Sequence, residues 1–494
     1  MVQRLSKLLL GLTVATSLGA GVGGAAPSAT AQELPNDIQV RLAGSPSIGQ
    51  RMTTDAVTVW AKKIGLPSVR VNAGVDPDEY ELTASRAESP RKLRVSVSSK
   101  GSSAGIEPLL RGQADLWMAS NPVQASDLDA MRRRGIPNVP TLAQFQAPGI
   151  ENVVGLDGLA IVTNPHNPVK RLAISQIKDM FQGRITNWSQ VGGPNLPIKL
   201  YAMEAGAGYA DVFCSAVIGN PDVAKCMAGL ARLAAPLFTY PDDLSDQIAD
   251  EPASLSFVAF QDKRNARPIE IGTACNTALD PDSFLIKTNE YPLTRRLYIY
   301  ANPNQPLTAA ARAYLDFLLS GQGQNAITMT GFATLSPSLS SETYSAARLD
   351  AVRDAQDGGH TRVRPPEARN FQEAIGGGDR LSVTLRFQSG TSELDSRAEA
   401  DLGRLAATMA LPANADKQVV LIGFSSAGGD YTGNRDLSRD RAGSVRERLA
   451  SKYGIKDAIS LGVGPAGAVA CNLDPNYAQL NQRVEVWLRK RPGA

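Results

Sequence analysis

Three stretches of this chain place hydroxyls and small residues where a strand gives way to a helix. Ala43-Gly44-Ser45-Pro46-Ser47-Ile48-Gly49 follows the strand-like run 38–42, and Lys100-Gly101-Ser102-Ser103-Ala104-Gly105-Ile106 follows 93–97. Glu204-Ala205-Gly206-Ala207-Gly208 follows 197–201. At such a turn the first N–H groups of the coming helix are unpaired, and the positive end of the helix dipole faces whatever lies in front of them. Serine hydroxyls there either cap the helix or donate to an oxyanion. Capping accounts for any one of these turns; three in one region point to a ligand held between lobes. Nucleophilic catalysis lacks a base. Ser102, Ser103, Asp115 and Asp157 are present, but the chain has two histidines, His166 and His360, and no motif positions either beside them. The same scarcity removes most zinc hydrolases, and the absence of a Cys-x-x-Cys pair argues against redox catalysis. The reading is a non-enzyme without metal or cofactor.

The elements that must hold these loops follow from hydrophobic pattern. From 38 to about 335, apolar β-type runs alternate with helical ones, the pattern of an α/β domain. Residues 336–379 read as a linker with one helix over 346–355; Ser336-Pro337-Ser338, Gly358-Gly359, Pro365-Pro366 and Gly376-Gly377-Gly378 punctuate it as a hinge would be. Residues 380–491 then read strand, helix, strand, helix, strand, strand, a smaller α+β unit. In its second helix Arg435, Arg439, Arg441, Arg446 and Arg448 interleave with Asp436, Asp440 and Glu447, which predicts a salt-bridged helix face rather than a polyanion site.

Residues 1–31 read as a secretory signal peptide cleaved after Ala31. Arg4 and Lys7 precede the apolar run 8–15, and Ala29-Thr30-Ala31 is the small-residue cleavage site. Gly, Ser and Thr interrupt the apolar run, which falls short of the roughly 20 residues a membrane span needs. The expected location is the periplasm or cell envelope, with no spanning segment. In that oxidising compartment Cys214 and Cys226, twelve apart, are the best-placed pair; Cys275 competes for either, Cys471 lies in the other unit, and three pairings stay open. Without the leader there are 49 basic and 48 acidic side chains, which argues against an electrostatic nucleic-acid binder.

With the elements placed, the residues acquire a family likeness. Leu42-Ala43-Gly44-Ser45, Gly101-Ser102-Ser103-Ala104-Gly105, Ala114-Asp115-Leu116-Trp117-Met118-Ala119-Ser120, Leu156-Asp157-Gly158-Leu159-Ala160-Ile161-Val162 and Phe181-Gln182-Gly183-Arg184-Ile185-Thr186-Asn187-Trp188 resemble the phosphate-type periplasmic substrate-binding proteins of ABC transporters. The resemblance runs over 38–335. It implies a two-lobed type 2 periplasmic-binding-protein fold, two chain crossings between lobes, a small anion or other small ligand in the cleft, and an ABC permease as partner. The cleft positions it implies are Ser45 or Ser47, Ser102 with Ser103, Asn121 and Gly208. At the same loops the chain departs from the family: Met203 stands for an Arg, Ala207 for a Ser, Tyr209 for a Thr, and Asn121 for the acid that accepts the ligand's proton. Losing an Arg fork and two hydroxyl donors removes roughly 4–8 kcal/mol, at about 1.5–3 kcal/mol per hydrogen bond to a charged group. That is about three to six orders of magnitude in affinity, so the site is expected to be degenerate for phosphate.

The last hundred residues resemble the OmpA-like peptidoglycan-binding domain through Phe387-Gln388-Ser389-Gly390-Thr391-Ser392-Glu393-Leu394, Gly423-Phe424-Ser425-Ser426, Asn434 with Leu437-Ser438 and Arg441-Ala442, and Asn481-Gln482-Arg483-Val484-Glu485-Val486. The resemblance implies a grip on the diaminopimelate of the wall peptide, with Arg441 pairing a ligand carboxylate and Asn434 a polar neighbour. Ser426 stands where the family has an Asp for the ligand's ammonium; Asp430, four residues on, is the candidate replacement. If Arg441 instead pairs with Asp440 or Asp436 on its own helix, the unit is a spacer or a protein-binding module.

Overall fold

The computed structural model describes residues 34–491 and 493, apart from 205–208, 221, 235, 273–277, 280, 341–364, 376, 388–392, 427–429, 467 and 471–478. The leader, Gly208, Ala207, Cys275, Cys471 and the helix expected over 346–355 therefore lie outside the described residues.

The first module is organised on one large mixed sheet. Its strands in chain order are β1 (Asp37–Gly44), β2 (Ser68–Ala73), β3 (Glu79–Ser85), β4 (Lys92–Ser98), β5 (Leu116–Ala119), β6 (Glu151–Thr163), β7 (Lys199–Leu200), β8 (Ser254–Ala259), β9 (Arg267–Pro268) and β10 (Thr294–Tyr300). They pair in the order β2-β3-β4-β1-β5-β10-β6-β8-β7, with β9 beside β6. β1 is parallel to both β4 and β5, as crossovers through helices require. Ile38, Val40 and Leu42 point inward along β1 while Asp37, Gln39 and Arg41 face solvent, the period-2 pattern of its sequence.

β6 makes the connection between the two halves of this sheet. Its thirteen residues are apolar almost throughout and buried from Val153 onward, which a strand covered on both faces demands. Residues 151–158 pair antiparallel with β10, and 159–163 pair antiparallel with β8. β6 carries the chain from the first half of the sheet to the second, and β10 returns it. Helix α1 (Thr53–Lys63) follows β1 through one wide helical turn, Ser47–Met52. Gly44 holds φ at +135°, and a Cβ there would meet the Met118 carbonyl oxygen at 2.0 Å, so the strand can leave the sheet only through glycine. Cys214 and Cys226 are joined by a disulfide.

The second module is a four-stranded sheet, β11 (Asp379–Arg386), β12 (Lys417–Phe424), β13 (Ile459–Gly462) and β14 (Arg483–Lys490), in the order β11-β14-β12-β13. Alternate residues of β12 serve two cores. Val419 and Leu421 pack under α3 (Ser396–Met409) and α4 (Tyr431–Tyr453), whereas Val420, Ile422 and Phe424 pack with α2 (Pro365–Ile375) through Ala368, Phe371 and Ile375. Helix α4 sits so close to the sheet that a Cβ on Gly423 would lie 1.9 Å from the Ser438 carbonyl oxygen. Gly423→Ala is therefore expected to destabilise the module by roughly 1–3 kcal/mol, the usual cost of forcing extra volume into a packed core. A shift of the urea midpoint measures it, and an unchanged midpoint would contradict the packing.

The linker reading needs correction. Within 336–379, α2 is part of the second module's core, and Ser338 and Ser340 pair with the start of β11: the Ser338 N–H donates to the Ser382 hydroxyl at 2.9 Å, and the Ser340 N–H to the Arg380 carbonyl at 2.7 Å. Among the described residues the two modules are in direct contact. Glu290, from the segment before β10, is buried against Arg380 of β11 and Arg483 of β14, with Glu485 completing two cations and two anions. Around this quartet Arg296 pairs with Asp395 at 2.8 Å, the Ser396 hydroxyl donates to Glu151 at 2.5 Å, and Arg397 donates to the Lys287 carbonyl at 2.5 Å. Pro/Gly punctuation signalled a break in regular structure, but polar residues far apart in sequence close the interface.

Candidate functional site

The end of β1, the turn after β4 and the end of β5 bring three serines together. The Ser45 hydroxyl lies 2.6 Å from that of Ser120, which lies 3.2 Å from that of Ser102; the Ser120 N–H also donates to Ser102 Oγ at 3.0 Å. Ser45 and Ser120 are buried. These hydroxyls are spent largely on one another. Ser103, the other cleft position named with Ser102, is exposed and joins none of these bonds. Asn121 is exposed beside Ser120 and lines a cavity facing the second module.

Ser47, two residues from Ser45, meets different chemistry. Its hydroxyl accepts from Arg295 Nη2 at 2.8 Å, and the same guanidinium holds Asp157 Oδ2 at 2.8 and 3.1 Å. One turn further on, Arg51 grips Asp262 through two parallel bonds of 2.9 and 2.8 Å, with Phe332 beneath it at 5.7 Å. Four segments thus supply a cluster of two cations and two anions. Burial pushes the Asp157 carboxyl above the ordinary range, and Arg295 and Arg51 only partly oppose it. For Arg51 burial disfavours the charge, but the bonds to Asp262 outweigh it and the guanidinium stays firmly protonated. Tyr209, which replaces the family's Thr, is buried with no hydrogen-bond partner for its hydroxyl among the described residues, and burial drives its ionisation upward. Arg51, Asp262 and Arg295 were not found by sequence reasoning. Arg51 and Asp262 are 211 residues apart, so no local spacing announces them.

In the second module, Arg441 projects from α4 into the core side of the sheet and is 3% exposed. Its guanidinium lies 5.0 Å above the Phe387 ring, and its one hydrogen bond among the described residues runs from Nη2 to Gln482 Oε1 at 3.3 Å. Nε and Nη1 have no partner there, and burial alone lowers its pKa. The pairing with Asp440 or Asp436 expected of a salt-bridged face does not occur, because Arg441 points inward while Asp436 is taken by Arg435 and Arg439. Arg448 and Lys452 reach off the helix instead and pair with Glu399 of α3. Gln482 also reaches the Ser426 hydroxyl at 3.4 Å, so Ser426, Gln482 and Arg441 form one row. Asn434 sits half-buried in the first turn of α4. Asp430 caps that helix by accepting from the Gly433 N–H at 2.9 Å.

A mixed α/β sheet spanned by β6 and β10, with serine-bearing turns at its strand ends, is followed by a β-α-β-α-β-β unit with an inward arginine. Residues 81–322 match the PBP superfamily domain and residues 386–469 the OmpA family. The SphX protein of Synechococcus elongatus is 25% identical over 247 residues, 47% of this chain and 67% of its own. The phosphate-binding protein PstS of Bacillus subtilis is 25% identical over 284 residues, 52% of this chain and 85% of its own. A solved ABC-type phosphate transport receptor from Vibrio cholerae covers 60% of this chain and 99% of its own at 21% identity, with a TM-score of 0.42. The chain joins a phosphate-binding-protein-like domain to an OmpA domain. Both families belong to the cell envelope, the first is a substrate-binding and not an enzyme class, and no helix among the described residues is long and apolar enough to cross a membrane.

Proposed function

We propose that this is an exported envelope protein whose C-terminal module attaches to peptidoglycan and whose binding-protein module has lost the family's grip on phosphate. Arg441 carries the reading. A guanidinium kept out of water, with Nε and Nη1 unpartnered among the described residues, is costly unless a ligand carboxylate completes it. The wall peptide's diaminopimelate offers that carboxylate, and the Ser426–Gln482 pair beside Arg441 offers neutral oxygens for the ammonium in place of the family's acid. Asp430, engaged as a helix cap, contributes its remaining oxygen at the rim.

The test is retention on purified sacculi. The intact mature chain is expected to sediment with them and Arg441→Ala to lose at least tenfold in apparent affinity, the effect of deleting one charge-assisted contact of about 1.5–3 kcal/mol. Equal retention of both proteins, or retention of neither, rejects wall attachment through Arg441.

For the first module the ion pairs Arg51–Asp262 and Arg295–Asp157 favour a structural or sensory role over transport. The cations that would meet an oxyanion are already matched. Such a cleft takes a protein partner or no ligand, and a permease that depends on phosphate loading has nothing to receive.

A further inference from the structure

Between the two modules lies a cavity of about 470 Å³, within the roughly 300–1,000 Å³ typical of small-molecule sites. We propose that it binds a carboxylate-bearing organic molecule through Arg386 and Thr294. The observation that carries this is a buried cation facing the cavity without a carboxylate partner among the described residues.

The lining holds three guanidinium groups and one carboxylate. Arg296 is matched by Asp395 at 2.8 Å, and Arg295 by Asp157 at 2.8 Å from behind the wall. Arg386 has no carboxylate partner among the described residues. It is 8% exposed and donates only to backbone carbonyls, those of Leu480 at 2.8 Å, Asn289 at 2.9 Å and Thr288 at 3.4 Å. Its Nε has no partner among the described residues. Carbonyls satisfy protons without neutralising charge, and burial accordingly pushes the Arg386 pKa down to about 9. Thr294 also lines the cavity, and its Oγ1, buried just behind the surface, has no partner among the described residues. A carboxylate placed here gains a charge-assisted bond from Arg386 and one from the threonine hydroxyl.

The rest of the wall sets the body of the ligand. Tyr298 and Phe387 present rings, and Pro122 and Pro292 add apolar surface. One unmatched cation suits a monocarboxylate with an apolar body. A phosphate dianion would bring two charges to the one lining cation without a carboxylate among the described residues. Gln482 lines the cavity and also bonds Arg441, so the carboxylate can come from a free small acid or from a wall peptide extending past Arg441. The inference stands independently of wall attachment, and the two sources are separable.

Titration calorimetry on the full mature chain uses phenylacetate, a diaminopimelate-containing stem tripeptide and inorganic phosphate. At least one carboxylate is expected to saturate the protein at one site. Its affinity should fall tenfold or more in Asn121→Trp, which fills the cavity from an exposed position, and in Arg386→Met, whose melting temperature is recorded alongside. Phenylacetate binding that survives Arg441→Ala identifies a free acid as the ligand class. Tripeptide binding lost in both Asn121→Trp and Arg441→Ala identifies a wall peptide spanning both sites. No carboxylate binding, carboxylate binding indifferent to Asn121→Trp and Arg386→Met, or phosphate binding as tightly as either carboxylate each overturns the proposal.

Discussion

Glu290→Gln is expected to lower the unfolding free energy by about 3–5 kcal/mol, the usual cost of removing one partner from a fully buried ion pair. Glu290 is buried against Arg380 and Arg483, and both arginines are themselves without exposure. Glutamine keeps the shape but leaves three charges with a net positive sum in a dry interface. Because Glu290 belongs to one module and the arginines to the other, the loss should also split a single unfolding transition into two. Replacing Arg380 and Glu290 together by methionine should recover much of the stability, since an apolar pair of similar volume avoids the desolvation that the ions suffer. Urea denaturation of Glu290→Gln and of the double methionine variant measures this. A single-variant cost under about 1 kcal/mol, as for an exposed pair, would show that the quartet does not hold the interface.

The same quartet fixes an acid limit. Burial opposes the charge on Glu290, but Arg380 outweighs it and holds the folded-state pKa below the ordinary value of 4.5. A depressed carboxylate contributes stability that is complete above the ordinary value and disappears as pH falls through the folded one. Wild-type stability should therefore decline below about pH 4.5, and part of that decline should be missing in Glu290→Gln.

Calorimetry with inorganic phosphate is expected to give no saturable binding at micromolar concentrations. The residues alone account for roughly 4–8 kcal/mol of lost contacts, or about three to six orders of magnitude. The fold adds a second obstacle. Arg51 and Arg295 would be the natural replacements for the Arg absent at Met203, but each already holds an aspartate in short, paired geometry. Ser45, Ser102 and Ser120 bond one another, so a ligand would have to break those contacts before gaining its own. Tyr209 offers a hydroxyl but buries it beside Asp157 and Asp262, whose charges repel an anion. Phosphate binding in the micromolar range would refute both the residue count and the matched cluster.

Much of this protein was legible before its fold. Strand alternation in 38–42 and 93–97 carried the first sheet, because a half-buried strand must alternate; 381–387 alternates in sequence too, although β11 is buried on both faces. The glycine-serine turns marked strand ends, since only glycine tolerates the backbone at Gly44. Motif likeness identified both modules. The best-placed cysteine pair is the disulfide that forms. Interleaved charge announced the solvent face of α4, though not that Arg441 turns inward, because charge order along a helix does not say which neighbour fills the space opposite.

The tertiary structure decided what the charges do. Near-neutral composition is compatible with scattered surface pairs or with buried ones, and nothing in sequence order distinguishes them. Arg51 finds Asp262, Arg295 finds Asp157, and Glu290 finds Arg380 across 211, 138 and 90 residues respectively. Such pairs are made by sheet topology, which sets distant segments side by side, and are stabilised by the low dielectric that the closed core creates. Sequence by itself determined two modules; the fold determined that Arg51 and Arg295 are matched inside the first module and Glu290 with Arg380 across to the second, with Arg386 and Arg441 left as buried cations without a carboxylate among the described residues.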